Sequence, residues 1–215
     1  MSETDNNFEV SGSDGEIGEF VDIVNIVTHG FEGAPEKNHP RLQRFVHYYS
    51  ADLGTVLDVG CGIGSMIEQL TAAGIDAEGI DQDGNQVRIA QSRGLRVVEG
   101  RAHEHLARNL GGYGGIFLRH ILEHFNGIEG LRLLYLSSKA LKPGGIMTVI
   151  TPNFSVASVR DSIFWLDITH QRPYPLPLLL HIFATLRLEI VDSGCREEEE
   201  ERDLFIVGRA QLNSQ

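Results

Sequence analysis

The sequence predicts an α/β fold: a mostly parallel sheet with helices on both faces that closes on an antiparallel strand pair. Three observations carry this. Short apolar runs alternate with amphipathic stretches, a glycine-rich turn follows the first run in the body of the chain, and the last two runs are joined by a short polar link. Alternation of this kind means crossover units, and crossovers return the chain parallel to its previous strand. A short link does not allow a crossover and makes the final pair antiparallel.

Taken in order, residues 41–49 follow Pro40 and place Leu42, Phe45, Val46 and Tyr49 at helical spacing, with Arg41 and Arg44 near the exposed edge. Residues 56–59 read as a buried strand, and 65–73 as a helix ended by Gly74. A second strand (77–81) precedes a helix over 85–92, a third strand (95–99) precedes a short helix over 103–109, and a fourth strand spans 115–118. A helix over 131–141 stops at Pro143-Gly144-Gly145, which leads into a fifth strand over 146–150. Residues 176–186 form a helix predicted to cap the site. Strands over 186–191 and 204–207 flank the acidic run 197–201, read as a solvated hairpin tip.

Charge divides the chain. Nine of its 30 acidic residues and none of its 18 basic ones fall in residues 1–36, so that segment carries −9 of the net −12. A near-neutral body with an acidic extension argues against a broad groove for a phosphate backbone, and no nucleic-acid partner is expected. Residues 1–35 are assigned to the extension and 36–215 to one domain. Positions 1–19 hold too little apolar material to offset ordering entropy, and 20–27 read either as a short strand or as a docking segment. No apolar run approaches the roughly 20 residues of a membrane span. The acidic start does not resemble a secretory signal. Two distant cysteines, Cys61 and Cys195, fit neither a disulfide framework nor a Cys-based metal site, and a cytoplasmic protein is expected.

The turn Gly60-Cys61-Gly62-Ile63-Gly64 joins the first strand to its helix, where the backbone must bend sharply and a ligand can approach closely. Asp81 closes the second strand 21 positions after Gly60, with Gln82 behind it. A carboxylate there can accept both hydroxyls of a ribose, so nucleoside binding follows from spacing. The glycine spacing is G-x-G-x-G, not the G-x-G-x-x-G of a dinucleotide fold, and Asp58 lies two residues before the first glycine.

This pattern resembles the first motif of class I S-adenosylmethionine-dependent methyltransferases. The resemblance continues through Gly79-Ile80-Asp81, Ile121-Leu122-Glu123-His124 and Leu141-Lys142-Pro143-Gly144-Gly145, and covers about residues 40 to 210. It implies a Rossmann-like three-layer sandwich with a seven-stranded, mostly parallel sheet whose last strand is antiparallel, and S-adenosyl-L-methionine as cofactor. Carried over by position, it places the cofactor's amino-acid end against Gly60, Cys61 and Gly62, with Asp58 and Gly64 in the same motif. Asp81 goes to the ribose and Gln82 beside the adenine. Arg101, Ala102 and His103 form the next station, and Arg119 ends the strand that faces the methyl group. Cys61 is read there as a small packing residue. Of His103 and His105, one is expected near the cofactor and the other at the surface. The sequence departs from the family at Arg101, where an Asp is usual, and at Gly114, where an Asp commonly follows the aromatic residue.

His120-Ile121-Leu122-Glu123-His124 also spells H-x-x-E-H, a zinc-peptidase pattern that needs both histidines on one helix face. Because His120 directly follows a strand, no metal is assigned. Glu123 and His124 are read as tying down the loop after that strand. Residues 164–175 concentrate Trp165, Asp167, Thr169, His170, Arg172 and Tyr174 in a proline-bounded loop. The stretch looks like the D-x-T-H-x-R-P-Y segment of a methyltransferase subgroup that often accompanies glycan assembly. The bland alternative has Asp167 paired with Arg172 and Trp165 in the core.

A hydroxyl acceptor needs a base, and a histidine near its ordinary pKa suits the task. His120 and His170 are the candidate bases or orienters, with Asp167 as the group that fixes an imidazole. Arg172 would hold an anionic group, and Arg41 and Arg44 would close over the cofactor carboxylate. The expected activity is methyl transfer to a small molecule or glycan, most readily at a hydroxyl. The alternative is a catalytically silent methyltransferase-like partner subunit; a nicotinamide oxidoreductase and a zinc peptidase rank below it.

Overall fold

The structure, a computed structural model, describes residues 40–194 and 202–212, together with the isolated position 23. The expectations for the acidic extension, for segment 20–27 apart from Ile23, for Cys195 and for the tip at 197–201 lie outside the described residues.

The elements in chain order are α1 (Pro40–Val46), β1 (Val56–Val59), α2 (Ser65–Ala72), β2 (Ala77–Asp81), α3 (Gly84–Ser92), β3 (Val97–Glu99), α4 (Ala102–Arg108), β4 (Tyr113–Arg119), α5 (Gly127–Ala140), β5 (Leu141–Pro152), α6 (Ala157–Asp161), α7 (Leu176–Thr185), β6 (Leu188–Gly194) and β7 (Asp203–Ala210). Short 3-10 turns occupy Ala51–Leu53, Leu122–His124 and Ile163–Leu166. The seven strands form one sheet in the order β3-β2-β1-β4-β5-β7-β6. All pairs are parallel except the two made by β7, with β5 and with β6. The predicted three-layer sandwich and its antiparallel last strand are therefore present.

Strand alternation divides the core between the two faces. Leu57, Val59, Ile116, Leu118, Met147 and Val149 point to one side and pack with α4, α5 and α7. Val56, Phe117, Ile146 and Ile150 point to the other and pack with α1, α2 and α3. All four residues of β1 are buried, as expected of a central parallel strand covered on both faces. The order reverses on either side of β1, since β2 lies to one side and β4 to the other. That opens a crevice beyond the carboxyl ends of these strands.

Several boundaries differ from the sequence expectation. Helix α5 begins a full turn earlier than 131, because the Asn126 side chain accepts hydrogen bonds from the backbone N–H groups of Ile128 and Glu129 and caps it. Strand β5 starts at Leu141 and runs through Pro143-Gly144-Gly145, which form an irregularity within the strand opposite Tyr113 and Gly115. Helix α7 packs on the antiparallel edge of the sheet and does not cap the crevice: its Phe183 ring leaves no room for a Cβ at Gly208 of β7.

Gly114 lies near the amino-terminal end of β4, at the far end from the crevice. A Cβ there would collide with the carbonyl oxygen and carbon of Leu53. The family's usual side chain is thus excluded by backbone packing of the Ala51–Leu53 turn, and this departure has no bearing on the crevice. Gly114→Ala should destabilise the fold by about 1–3 kcal/mol, as overpacking against rigid backbone does. A chemical-denaturation midpoint equal to that of the parent chain would contradict this packing.

Candidate functional site

At the carboxyl end of β1 the chain makes a left-handed turn at each of Gly60, Gly62 and Gly64 (φ +68°, +54° and +84°), a conformation costly for any residue with a Cβ. The N–H groups of Gly60 and Cys61 both donate to the Ile80 carbonyl, at 2.8 and 3.2 Å. Gly62 N–H donates to Asp81 Oδ2 at 2.8 Å, while Asp81 Oδ1 accepts from Asp83 N–H at the same distance. The Asp81 carboxylate is therefore fixed against the glycine turn by two backbone donors and keeps lone pairs for further hydroxyls. A Cβ at Gly60 would press on Ile121 at 2.9 Å, whereas one at Gly62 would have nothing nearer than Gln86 Oε1 at 4.0 Å. The Gly62 face is the open side of the turn.

Cys61 is buried and its thiol contacts the Gly62 carbonyl oxygen, with burial pushing the thiol pKa up. It packs against Gly79, which has no room for a Cβ beside the Cys61 sulfur. Buried Asp58 sits beneath the turn. Burial raises its pKa to about 7; Arg119 pulls the other way and Asp81 adds to the rise. Gly100 N–H donates to the Asp81 carbonyl, which brings the Arg101–Ala102 station beside the end of β2. Gln82 and Arg101 are exposed, and Ala102 is half-buried. His103 turns toward α5, with Nε2 3.0 Å from the Glu129 carbonyl oxygen and its ring edge-on to Phe125. His105 is half-buried, and its Nε2 lies 2.7 Å from Tyr113 Oη, which in turn donates to Glu78.

The second cluster is built around Glu123, which is fully buried. Its Oε1 lies 3.0 Å from His120 Nδ1, and its Oε2 accepts from Thr151 Oγ1 at 3.2 Å. Its carbonyl accepts from the N–H groups of Gln171 and Arg172 in the 164–175 loop. His120 follows β4 in a left-handed conformation (φ 52°) and directs Nε2 to Asp203 Oδ2, 3.2 Å away on β7. Burial would lower the His120 pKa, but Asp203 and then Glu123 outweigh it and raise it to about 9. Burial likewise pushes the Glu123 pKa up, and His120 more than reverses this. With both ring nitrogens held by carboxylates and the ring protonated at neutral pH, His120 has no lone pair to offer a substrate. This geometry contradicts the base role expected for it. The H-x-x-E-H helix does not form either, since only Leu122–His124 makes a short turn and His120 lies outside it.

His170 is differently placed. Its Nδ1 faces the Phe164 carbonyl oxygen at 2.7 Å, so that nitrogen carries the proton and Nε2 carries the lone pair. Asp167 Oδ2 is 3.7 Å from Nε2. The His124 ring meets the His170 ring edge to face, with centroids 4.8 Å apart. Arg172 does not pair with Asp167; it lies over the Tyr174 ring, while Asp167 accepts from the N–H and hydroxyl of Thr169. Trp165 is 56% exposed and stacks edge-on against Phe164 and Phe154 instead of entering the core. Arg41, Arg44 and Arg119 line a cleft with Ile150 and Asp203, beside His120. Sequence reading missed Asp203, which lies 83 positions from His120 and carries no motif. It also missed the part played by Thr151.

A family model described as a methyltransferase domain matches residues 32–196. The chain is similar to the ubiquinone biosynthesis O-methyltransferase of Hydrogenovibrio crunogenus, 28% identical over 173 residues that cover 76% of this chain and 71% of that protein. It is also similar to the enzyme of the same name from Aliivibrio fischeri, 29% identical over 114 residues, which are 50% of this chain and 48% of that one. Among solved structures, a SAM-dependent methyltransferase from Archaeoglobus fulgidus superposes with a TM-score of 0.72 at 22% identity, covering 88% of this chain and 99% of that one.

Removing one partner of a buried ion pair leaves the other uncompensated, at a cost of about 3–5 kcal/mol. Glu123→Ala should lose stability of that order in chemical denaturation. A loss below about 1 kcal/mol would mean that the buried carboxylate does not organise this region.

Proposed function

From the premise that this chain belongs to the methyltransferase-domain family, we propose that it transfers a methyl group from S-adenosyl-L-methionine to a hydroxyl of a small-molecule acceptor. The observation that carries the reading is the glycine turn held to Asp81, with its Gly62 face open. A side chain at Gly62 would fill the space into which the cofactor's amino-acid end would fit, and the Asp81 carboxylate keeps acceptor capacity for ribose hydroxyls. A fixed carboxylate with lone pairs to spare beside an open turn suits a ligand with two vicinal hydroxyls. Gln82 and Ala102 would border the base, with Arg101 free to swing over it. That similar proteins are O-methyltransferases supports a hydroxyl acceptor.

When bound, the cofactor supplies an electrophilic methyl group with an excellent leaving group. The protein is left two tasks: alignment of the acceptor oxygen, and removal of its proton as the bond forms. His170 is the base in this reading. Its Nδ1–H is anchored on the Phe164 carbonyl, its Nε2 lone pair is available, and Asp167 at 3.7 Å would steady the imidazolium once the proton arrives. His120 is a positioning residue that holds Glu123, and through it the 164–175 loop. The arginine-lined cleft would draw in an acceptor carrying negative charge.

Calorimetric titration should show S-adenosylmethionine and S-adenosylhomocysteine binding, with Asp81→Ala weakening both at least tenfold, as loss of charge-assisted hydrogen bonds does. Absence of binding to folded protein would end the proposal. The cofactor's ammonium group near Asp58 would favour the ionised carboxylate, whose pKa in the free protein is about 7. Binding would then release a proton, so affinity should rise as pH increases from about 6 to 8, and Asp58→Asn should flatten that rise. His170→Asn should lower kcat by about 10²–10⁴-fold with little change in KM. Unchanged turnover would move the base elsewhere.

A further inference from the structure

The H-x-x-E-H segment does not form the helix of a zinc peptidase, yet two of its residues meet His170 from the acceptor loop. Glu123, His124 and His170 each offer a ligand atom, and these atoms lie within 4.8 Å of one another. The hydrogen bonds around them fix where the lone pairs are. The Thr169 hydroxyl has one proton, and it donates this to Asp167 Oδ1 at 2.6 Å. Toward His124 Nδ1, 2.7 Å away, Thr169 can therefore only accept. His124 thus carries its proton on Nδ1 and its lone pair on Nε2. The same reasoning applies to His170, whose Nδ1 faces a backbone carbonyl.

In both imidazoles Nδ1 is thereby taken up and Nε2 is the ring atom left to face a ligand. Each is anchored through Nδ1, one by a carbonyl and the other by a hydroxyl that is itself bonded to a carboxylate. This is the outer-shell arrangement that orients histidines toward a metal ion. We infer that Glu123, His124 and His170 form a binding site for a borderline divalent transition-metal ion such as zinc(II). Two imidazoles and a carboxylate suit zinc, and a solvent molecule would complete a four-coordinate set. Ligand atoms in a tetrahedral zinc site lie about 3.3 Å apart, as follows from bonds of about 2.0–2.1 Å. Closing from as much as 4.8 Å to about 3.3 Å falls on His124 and His170, which are only partly buried. Glu123 keeps an unused lone pair on each carboxylate oxygen after its bonds to His120 and Thr151.

The site goes beyond the proposed methyl transfer. An ion there would occupy the lone pair that otherwise takes the acceptor's proton, so the two uses of His170 are alternative states. The test is a titration of the full, chelator-stripped chain with cobalt(II) and zinc(II), with neither cofactor nor acceptor present. The expected result is one cobalt per chain with the visible absorption of a four- or five-coordinate nitrogen–oxygen site, displaced by zinc. The His124→Ala/His170→Ala double variant should lose this spectrum. Thr169→Val, at an exposed position, removes the acceptor for His124 Nδ1–H together with the hydroxyl's own bond to Asp167, and should weaken binding about 10–100-fold. If the double variant does not fold, Thr169→Val alone decides. No spectrum in folded parent chain, or binding unaffected by these variants, would overturn the site. Because metal uptake is read without S-adenosylmethionine, its failure leaves the methyl-transfer reading intact, and the converse also holds.

Discussion

A single buried carboxylate holds together the part of this molecule that the fold alone does not. Glu123 sits in a turn after β4, with its side chain taken out of water, which would be costly without compensation. Compensation comes from Thr151 on β5 and from His120, whose other nitrogen reaches Asp203 on β7. Three strands of the sheet's carboxyl edge are thus joined through one group. The Glu123 carbonyl also anchors the backbone of the 164–175 loop at Gln171 and Arg172. The loop that carries His170 therefore takes its position from the end of β4.

This arrangement separates two histidines that look equivalent in sequence. Each has a carboxylate three positions away, Glu123 for His120 and Asp167 for His170. His120 lies between two carboxylates at hydrogen-bonding distance and is kept charged. His170 has one carboxylate at 3.7 Å and a carbonyl on Nδ1, so its Nε2 lone pair survives. Proton affinity here depends on what faces each nitrogen, and for His120 that includes a residue from the last strand.

The glycine-turn side of the crevice was far more legible than the side that carries the 164–175 loop. Gly60, Gly62, Gly64 and Asp81 follow from a local requirement: a sharp turn after a buried strand, and an acid at the end of its neighbour. Parallel pairing of β1 with β2 brings the two together in any α/β sheet. The 164–175 loop offered residue types without geometry. The bland alternative for this loop, Asp167 paired with Arg172 and Trp165 in the core, does not hold: the two charged groups find different partners and Trp165 stays in solvent. The departure from the family at Gly114 is a contact with the Leu53 backbone, at the end of the strand far from the crevice.

The sequence by itself determined the strand–helix alternation and hence the sheet, because that depends on hydrophobic period and short-range turn chemistry. It also determined the glycine cradle, since both strands that form it announce their ends locally. Tertiary structure decided which titratable groups meet. Asp203 reaches His120 only because β7 inserts antiparallel between β5 and β6. His124 and His170 face one another only because the loop folds back over Glu123. Contacts between residues far apart in the chain have no periodic signature, and it is those contacts that set charge and lone pairs in this site.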